Sequence, residues 1–137
     1  MNQSDKNLLL KDLCARVVYD NIIIKVKGLG DVFLGSVDCF GEIGIRDLNN
    51  DLYKVDDVRP YLRPMSSMTA EEEYEYHQCK NIDYLEICEM EHAEMLKTTA
   101  LCFSHAIDWL NKNGFDYRGL IPMGLALEAP KDMYKTE

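Results

Sequence analysis

Histidine, cysteine and carboxylate are the side chains of this chain that could carry chemistry, and their spacings suggest three metal arrangements. His77-x-Cys79 with Cys88-x-x-x-His92 would supply four zinc ligands, the second pair at the i, i+4 spacing that shares one helix face. That order matches no common zinc module, and cysteines at helical period are ordinary core residues. Glu89-x-x-His92 is the i, i+3 pair of di-iron bundles, which need the motif twice plus two further glutamates, and only one copy is present. Asp47-x-Asn49-x-Asp51 opens like an EF-hand loop, but Leu52 and Val58 stand where that loop needs glycine and a bidentate glutamate. A plain turn is expected there. Gly28-x-Gly30 lies between two strand-like runs and not ahead of a helix, so it reads as a hairpin turn and not a phosphate loop. No Ser, Cys or Lys stands in a nucleophile motif, and His77, His92 and His105 have no triad-like partners. The expectation is a non-enzyme with no catalytic residues, no metal and no cofactor.

The remaining chemistry is charge. The formal net charge is −9, from 15 Lys+Arg against 24 Asp+Glu. Residues 1–64 hold nine basic and ten acidic residues, a net of −1; residues 65–137 hold six and fourteen, a net of −8. The segment 71–94 alone sets nine carboxylates against Lys80. A run of carboxylates on a helix face serves solubility, and it can also imitate nucleic-acid phosphates or steer a basic partner. The candidate partner-binding residues are therefore Glu71, Glu72, Glu75, Glu86, Glu89, Glu91 and Glu94. The near-neutral half offers a different surface, in which Lys25, Lys27, Arg59, Tyr61 and Arg63 could contact nucleic acid. The overall acidity makes direct nucleic-acid binding the weaker expectation.

The elements that must position these residues can be read from periodicity. Residues 5–18 read as a helix capped by Ser4, with Leu9, Leu10, Leu13, Cys14 and Val17 as its apolar stripe. Four short strands follow, at about 22–27, 32–39, 42–46 and 52–55, separated by turn residues. They suggest a small bent antiparallel sheet of SH3-like form. Arg59 to Pro64, with two prolines, reads as a stiff linker. Thr69-Ala70-Glu71-Glu72 is a capping box that opens a helix to about Cys79. Tyr84 to Asn113 is helical in period, stopped by Gly114, with Trp109, Phe103, Ile107 and Leu110 expected to dock it on the sheet or the C-terminal segment. Phe115 to Leu127 reads as a turn and a short helix, and the residues after Pro130 as loose. The whole is one α+β domain, 1–137: a helix plus small sheet over 1–64 and a helical unit over 65–137.

The chain has 137 residues, 47% hydrophobic and 28% charged, which excludes a disordered tail and a membrane protein. No stretch approaches the ~20 apolar residues of a membrane span, and the N-terminal run Leu8-Leu9-Leu10 is too short for a secretory signal. Five widely spread cysteines, Cys14, Cys39, Cys79, Cys88 and Cys102, read as reduced thiols of a cytoplasmic protein.

Several blocks carry a resemblance: Leu8 to Ala15, Val58 to Thr69 with the following glutamates, Asp108 to Asn111, Phe115 to Ile121 and Gly124 to Pro130. They cover about half of the chain, and they resemble an uncharacterised family of small proteins encoded by phages and prophages of gut bacteria. Residues 80–104 depart from that pattern. The resemblance implies a small accessory protein in the cytoplasm of an infected or lysogenic bacterial cell, and it carries over no catalytic residue. Together with the acidic segment it leads to one functional expectation. This is a non-catalytic phage accessory that binds a host protein with a basic surface, in its sharpest form an anti-CRISPR-like inhibitor of a host defence nuclease. The alternatives are a nucleic-acid-binding regulator using the sheet face and, third, a metal-dependent enzyme.

Overall fold

The computed structural model describes residues 1–46, 51–80 and 91–134. The chain is α+β, with helices α1 (Gln3–Arg16), α2 (Ala70–Lys80) and α3 (His92–Lys112) among the described residues. Strands β1 (Ile23–Val26), β2 (Gly30–Val37), β3 (Glu42–Ile45) and β4 (Leu52–Lys54) fall close to the four expected. Two more complete the sheet, β5 (Val58–Leu62) and β6 (Leu127–Glu128), in the order β4-β3-β2-β1-β5-β6. The first five pair antiparallel and β6 joins β5 in parallel. A 3₁₀ turn over Val55–Asp57 leads into β5, and β1 sits between β2 and β5, which is an SH3-like path of the chain.

The expected linker is thus a strand. Val58, Pro60 and Leu62 point into the core while Arg59 and Tyr61 alternate outward. The prolines hid this alternation. A proline is tolerated here because the neighbour β6 spans only the level of Tyr61 and Leu62, leaving β5 without a continuous partner on that side. β2 serves two neighbours in turn, β1 through Gly30–Phe33 and β3 through Leu34–Val37, with a register shift between Leu34 and Ser36. Gly35 sits at that bend. A Cβ there would come within 2.6 Å of the Arg46 backbone nitrogen, so only glycine lets the strands pass.

One face of the sheet carries the core: Ile22, Ile24, Val26, Leu34, Ile43, Val58 and Leu62 meet Leu9 and Leu13 of α1. Asn2, not Ser4, caps α1 by accepting from the Asp5 amide at 2.8 Å. The buried stripe of α1 is Leu9, Asp12, Leu13 and Arg16, rotated from the expected one; Leu10 is half-buried and Cys14 exposed. Two charged residues lie inside because they satisfy each other. Asp12 accepts from Arg16 Nε at 2.9 Å and Nη2 at 3.1 Å, and both side chains are fully buried. Arg16 Nη2 also donates to the Phe115 carbonyl at 2.6 Å, and Arg118 Nε donates to Asp12 at 3.1 Å.

The segment after α3 departs from expectation. It forms no helix, because Gly119 and Gly124 take left-handed φ of 77° and 75°. Asp116 organises it by accepting from the amides of Leu120 at 2.8 Å and Ile121 at 2.9 Å. Nor is the chain loose from Pro130 to Tyr134. Tyr134 is buried, and its hydroxyl donates to the Tyr61 carbonyl at 2.7 Å and accepts from the Ile23 amide at 3.0 Å. Burial pushes that phenol up to about 12. The Tyr134 ring lies where a Cβ on Gly114 would be, at 2.7 Å, so this helix-ending glycine, at φ 75°, is required twice over.

α3 packs along α2, meets α1, and docks on the C-terminal segment through Trp109. Leu110 is buried and Trp109 stacks on Phe115, as expected, but Phe103 and Ile107 are exposed. Contact with α2 turns the Trp109 side of the helix inward, and the adjacent apolar stripe is left outside.

Truncating Arg16 to methionine strands Asp12 in the core with Arg118 as its remaining cation. The variant should lose about 3–5 kcal/mol of unfolding free energy, read from urea denaturation. A loss below about 1 kcal/mol would show that the pair does not organise the core.

Candidate functional site

Where α2 begins, the chain forms a concave acidic cleft of about 610 Å³. Its walls are the residues after β5, the first two turns of α2, Asn113 at the end of α3, and Glu128 to Tyr134. The capping box builds one wall: the Thr69 amide donates to Glu72 Oε1 at 3.0 Å, and the Glu72 amide donates to Thr69 Oγ1 at 3.2 Å. Glu72 is also gripped by Arg63, whose Nη1 and Nη2 donate to the two carboxylate oxygens at 2.6 Å and 2.7 Å. The hydrogen bonds from Arg63 hold the Glu72 carboxyl down from 4.5 to about 2, against the opposing effect of burial.

Arg63 is itself held by aromatic rings. Its guanidinium lies 4.2 Å from the centre of the Phe115 ring, and Phe115 stacks on Trp109 at 5.6 Å. Trp109 meets Tyr76 at 5.8 Å, and Lys80 Nζ sits 4.7 Å from the Tyr76 ring. This stack ties β5, α2 and α3 together behind the cleft and fixes the angle at which α2 presents its carboxylates.

The cleft wall carries Glu71, Glu72, Glu75, Glu128 and Asp132 against Arg63 and Lys131. Glu72 is neutralised by Arg63, while Glu71 and Glu75 are exposed. Asp132 adopts φ 73°, the one positive φ outside glycine among the described residues. The arrangement can receive cationic groups from a partner.

The structure divides the expected acidic set. Glu71, Glu72 and Glu75 share the cleft. Glu91 stands at the N-cap position of α3 with no capping bond from its side chain, and Glu94 lies in the first turn, both exposed. They stand about 30 Å from the cleft end of that helix, given its 21 residues at 1.5 Å per residue. Glu86 and Glu89 lie outside the described residues. Glu128, Lys131 and Asp132 were not anticipated. They are far from α2 in sequence and are brought there by the Ala129 amide donating to the Leu62 carbonyl at 2.8 Å and by the burial of Tyr134.

Lys25 and Lys27 are exposed, and Lys25 lies in register between Asp31 and Arg59. Arg59 donates to the backbone carbonyls of Val58, Asp56 and Gly124. Tyr61 donates to Asp31 at 2.8 Å, and this bond raises its pKa. Arg63 is spent on Glu72. Of the proposed zinc ligands, His77 is exposed near Glu73 at 3.7 Å, Cys79 is half-buried and Cys88 lies outside the described residues, as does most of the EF-hand-like turn. Among the described residues no three His, Cys, Asp or Glu side chains gather as a metal site. No described helix is long and apolar enough to cross a membrane.

Comparison with protein-family models, with curated proteins and with solved structures found no match in any of the three.

The depressed Glu72 carboxyl ties stability to pH. Its contribution is complete above about 4.5 and fades as pH falls toward 2, because the unfolded chain takes up the proton first. Glu72→Gln should therefore destabilise the protein by about 1–3 kcal/mol at pH 7 and by much less near pH 2.5, read from urea midpoints at the two values. An equal loss at both would show that the carboxylate charge is not what Arg63 needs.

Proposed function

We propose that this protein is a non-catalytic binding module that receives a basic surface of another protein in the cleft at the start of α2. The observation that carries the reading is the placement of Glu71 and Glu75, exposed and unneutralised by Arg63, on a wall held rigid by the Arg63–Glu72 pair and the aromatic stack. A preorganised wall of this kind reduces the ordering cost of binding, and its charge speeds encounter with a basic partner. The resemblance to phage and prophage proteins supports a host bacterial protein as that partner. In the sharpest form the partner is a defence nuclease, and the carboxylates occupy the channel that nucleic-acid phosphates would fill. Glu91 and Glu94 would then contact a separate part of the same partner, or none.

The regulator reading is weakened by Arg59, Tyr61 and Arg63 each being committed within the fold. Affinity capture from bacterial lysate, followed by titration of the identified partner, tests the main proposal. Replacing Glu71 and Glu75 by lysine should weaken binding by about tenfold or more, and wild-type affinity should fall as salt rises. Unchanged affinity in the double variant would overturn the cleft as the site. A gel shift with mixed RNA and DNA at low salt should show no complex, and a shift abolished by Lys25→Glu would favour the sheet-face regulator instead.

A further inference from the structure

α3 carries an apolar face that no described residue covers. Leu96, Ala100, Phe103 and Ile107 recur at intervals of four, three and four, which places them in one stripe. Leu96 is 56% exposed, Phe103 58% and Ile107 39%. The stripe is set apart from the side of α3 that carries buried Ala106 and the Trp109 contact with α2, so no described element of the fold uses it. Lys97 flanks its N-terminal half and Asp108 its C-terminal half, both exposed.

We propose that a second copy of this chain covers the stripe, with the two α3 helices antiparallel about a two-fold axis level with the midpoint between Ala100 and Phe103. A two-fold contact sets one patch against itself, so the patch must be complementary to its own reversal. This one is. Reversal about that midpoint brings Leu96 level with Ile107 and small Ala100 level with large Phe103. It also brings Lys97 of each copy within about one helical turn of Asp108 of the other, on the same flank. A parallel two-fold pairing would instead place the two Lys97 on opposite flanks, and the two Asp108 likewise, so that neither charge meets its opposite across the contact. The opposite signs at the two ends of the stripe therefore select the antiparallel arrangement. The proposal is independent of the cleft, which lies beyond the C-terminal end of α3.

Sedimentation equilibrium of the full chain from about 1 to 300 µM tests it. The wild-type mass should rise toward twice that of the monomer. Phe103→Glu should raise the dimer dissociation constant about 30-fold, with a melting temperature equal to that of wild type at concentrations where both are monomeric, since the ring touches solvent in the monomer. Lys97→Asp should weaken the dimer up to about fivefold, and adding Asp108→Lys should restore it. A wild-type mass that stays monomeric across the range overturns the proposal. So does a dimer indifferent to Phe103→Glu, or a charge swap in which the second substitution fails to restore what the first removed.

Discussion

Burying a guanidinium obliges the surrounding chain to supply acceptors for its donors, and this fold meets that obligation with segments distant in sequence. Arg16 has no solvent exposure, donates two hydrogen bonds to Asp12 on its own helix, and reaches the carbonyls of Asn111 and Phe115. The Asn111 carbonyl lies in the last turn of α3, where it also accepts from the Gly114 amide, and the Phe115 carbonyl lies just beyond the helix. The helix end and the buried cation solve each other's problem. Everything after α3 inherits its position from this junction: Phe115 beneath Arg63, Asp116 holding the Leu120 turn, and Tyr134 lodged between β1 and β5.

A buried ion pair adds little net stability over a well-packed apolar replacement, but it tolerates few alternative geometries. Its role here is to fix how α1 meets the end of α3. The same logic repeats at the surface, where Arg63 joins Glu72 to the aromatic stack. In both places an arginine uses its planar fork on a carboxylate and its remaining face or donors on a different segment. The acidic cleft is a by-product of that second junction, because the arginine that neutralises Glu72 leaves Glu71 and Glu75 without a counterion of this kind.

Much of the fold was legible in the sequence wherever one local rule operated alone. The capping box at Thr69 and Glu72, the stop at Gly114 and the first four strands followed from such rules. Legibility failed where two rules conflicted. Nothing in the sequence marks Asp12 and Arg16 as a buried pair, since a single sequence shows no partner for either, and the α1 stripe was misread by one position. The prolines of β5 masked an alternating pattern. The C-terminal strap gave no periodic signal, because its conformation comes from left-handed glycines, an aspartate cap and one buried tyrosine. Half of the cleft wall lies on that strap. The glutamates of α2 could be picked out from composition, but not the residues they face.

The pairing of Asp12 with Arg118 spans 106 positions and that of Arg16 with Phe115 spans 99. Closing so large a loop costs entropy before any contact is made, and contacts this distant slow folding. During synthesis α1 and the first five strands emerge well before residues 111–118 exist outside the ribosome. For that interval Asp12 and Arg16 have no distant partner, and the sheet face that will receive Leu120 and Tyr134 stays open to water. The nascent chain thus passes through a stage with an unsealed apolar surface, and its exposure time is set by the rate of translation through the 71–110 region. Slow codons there would lengthen the dependence on chaperones without altering a single contact of the finished molecule.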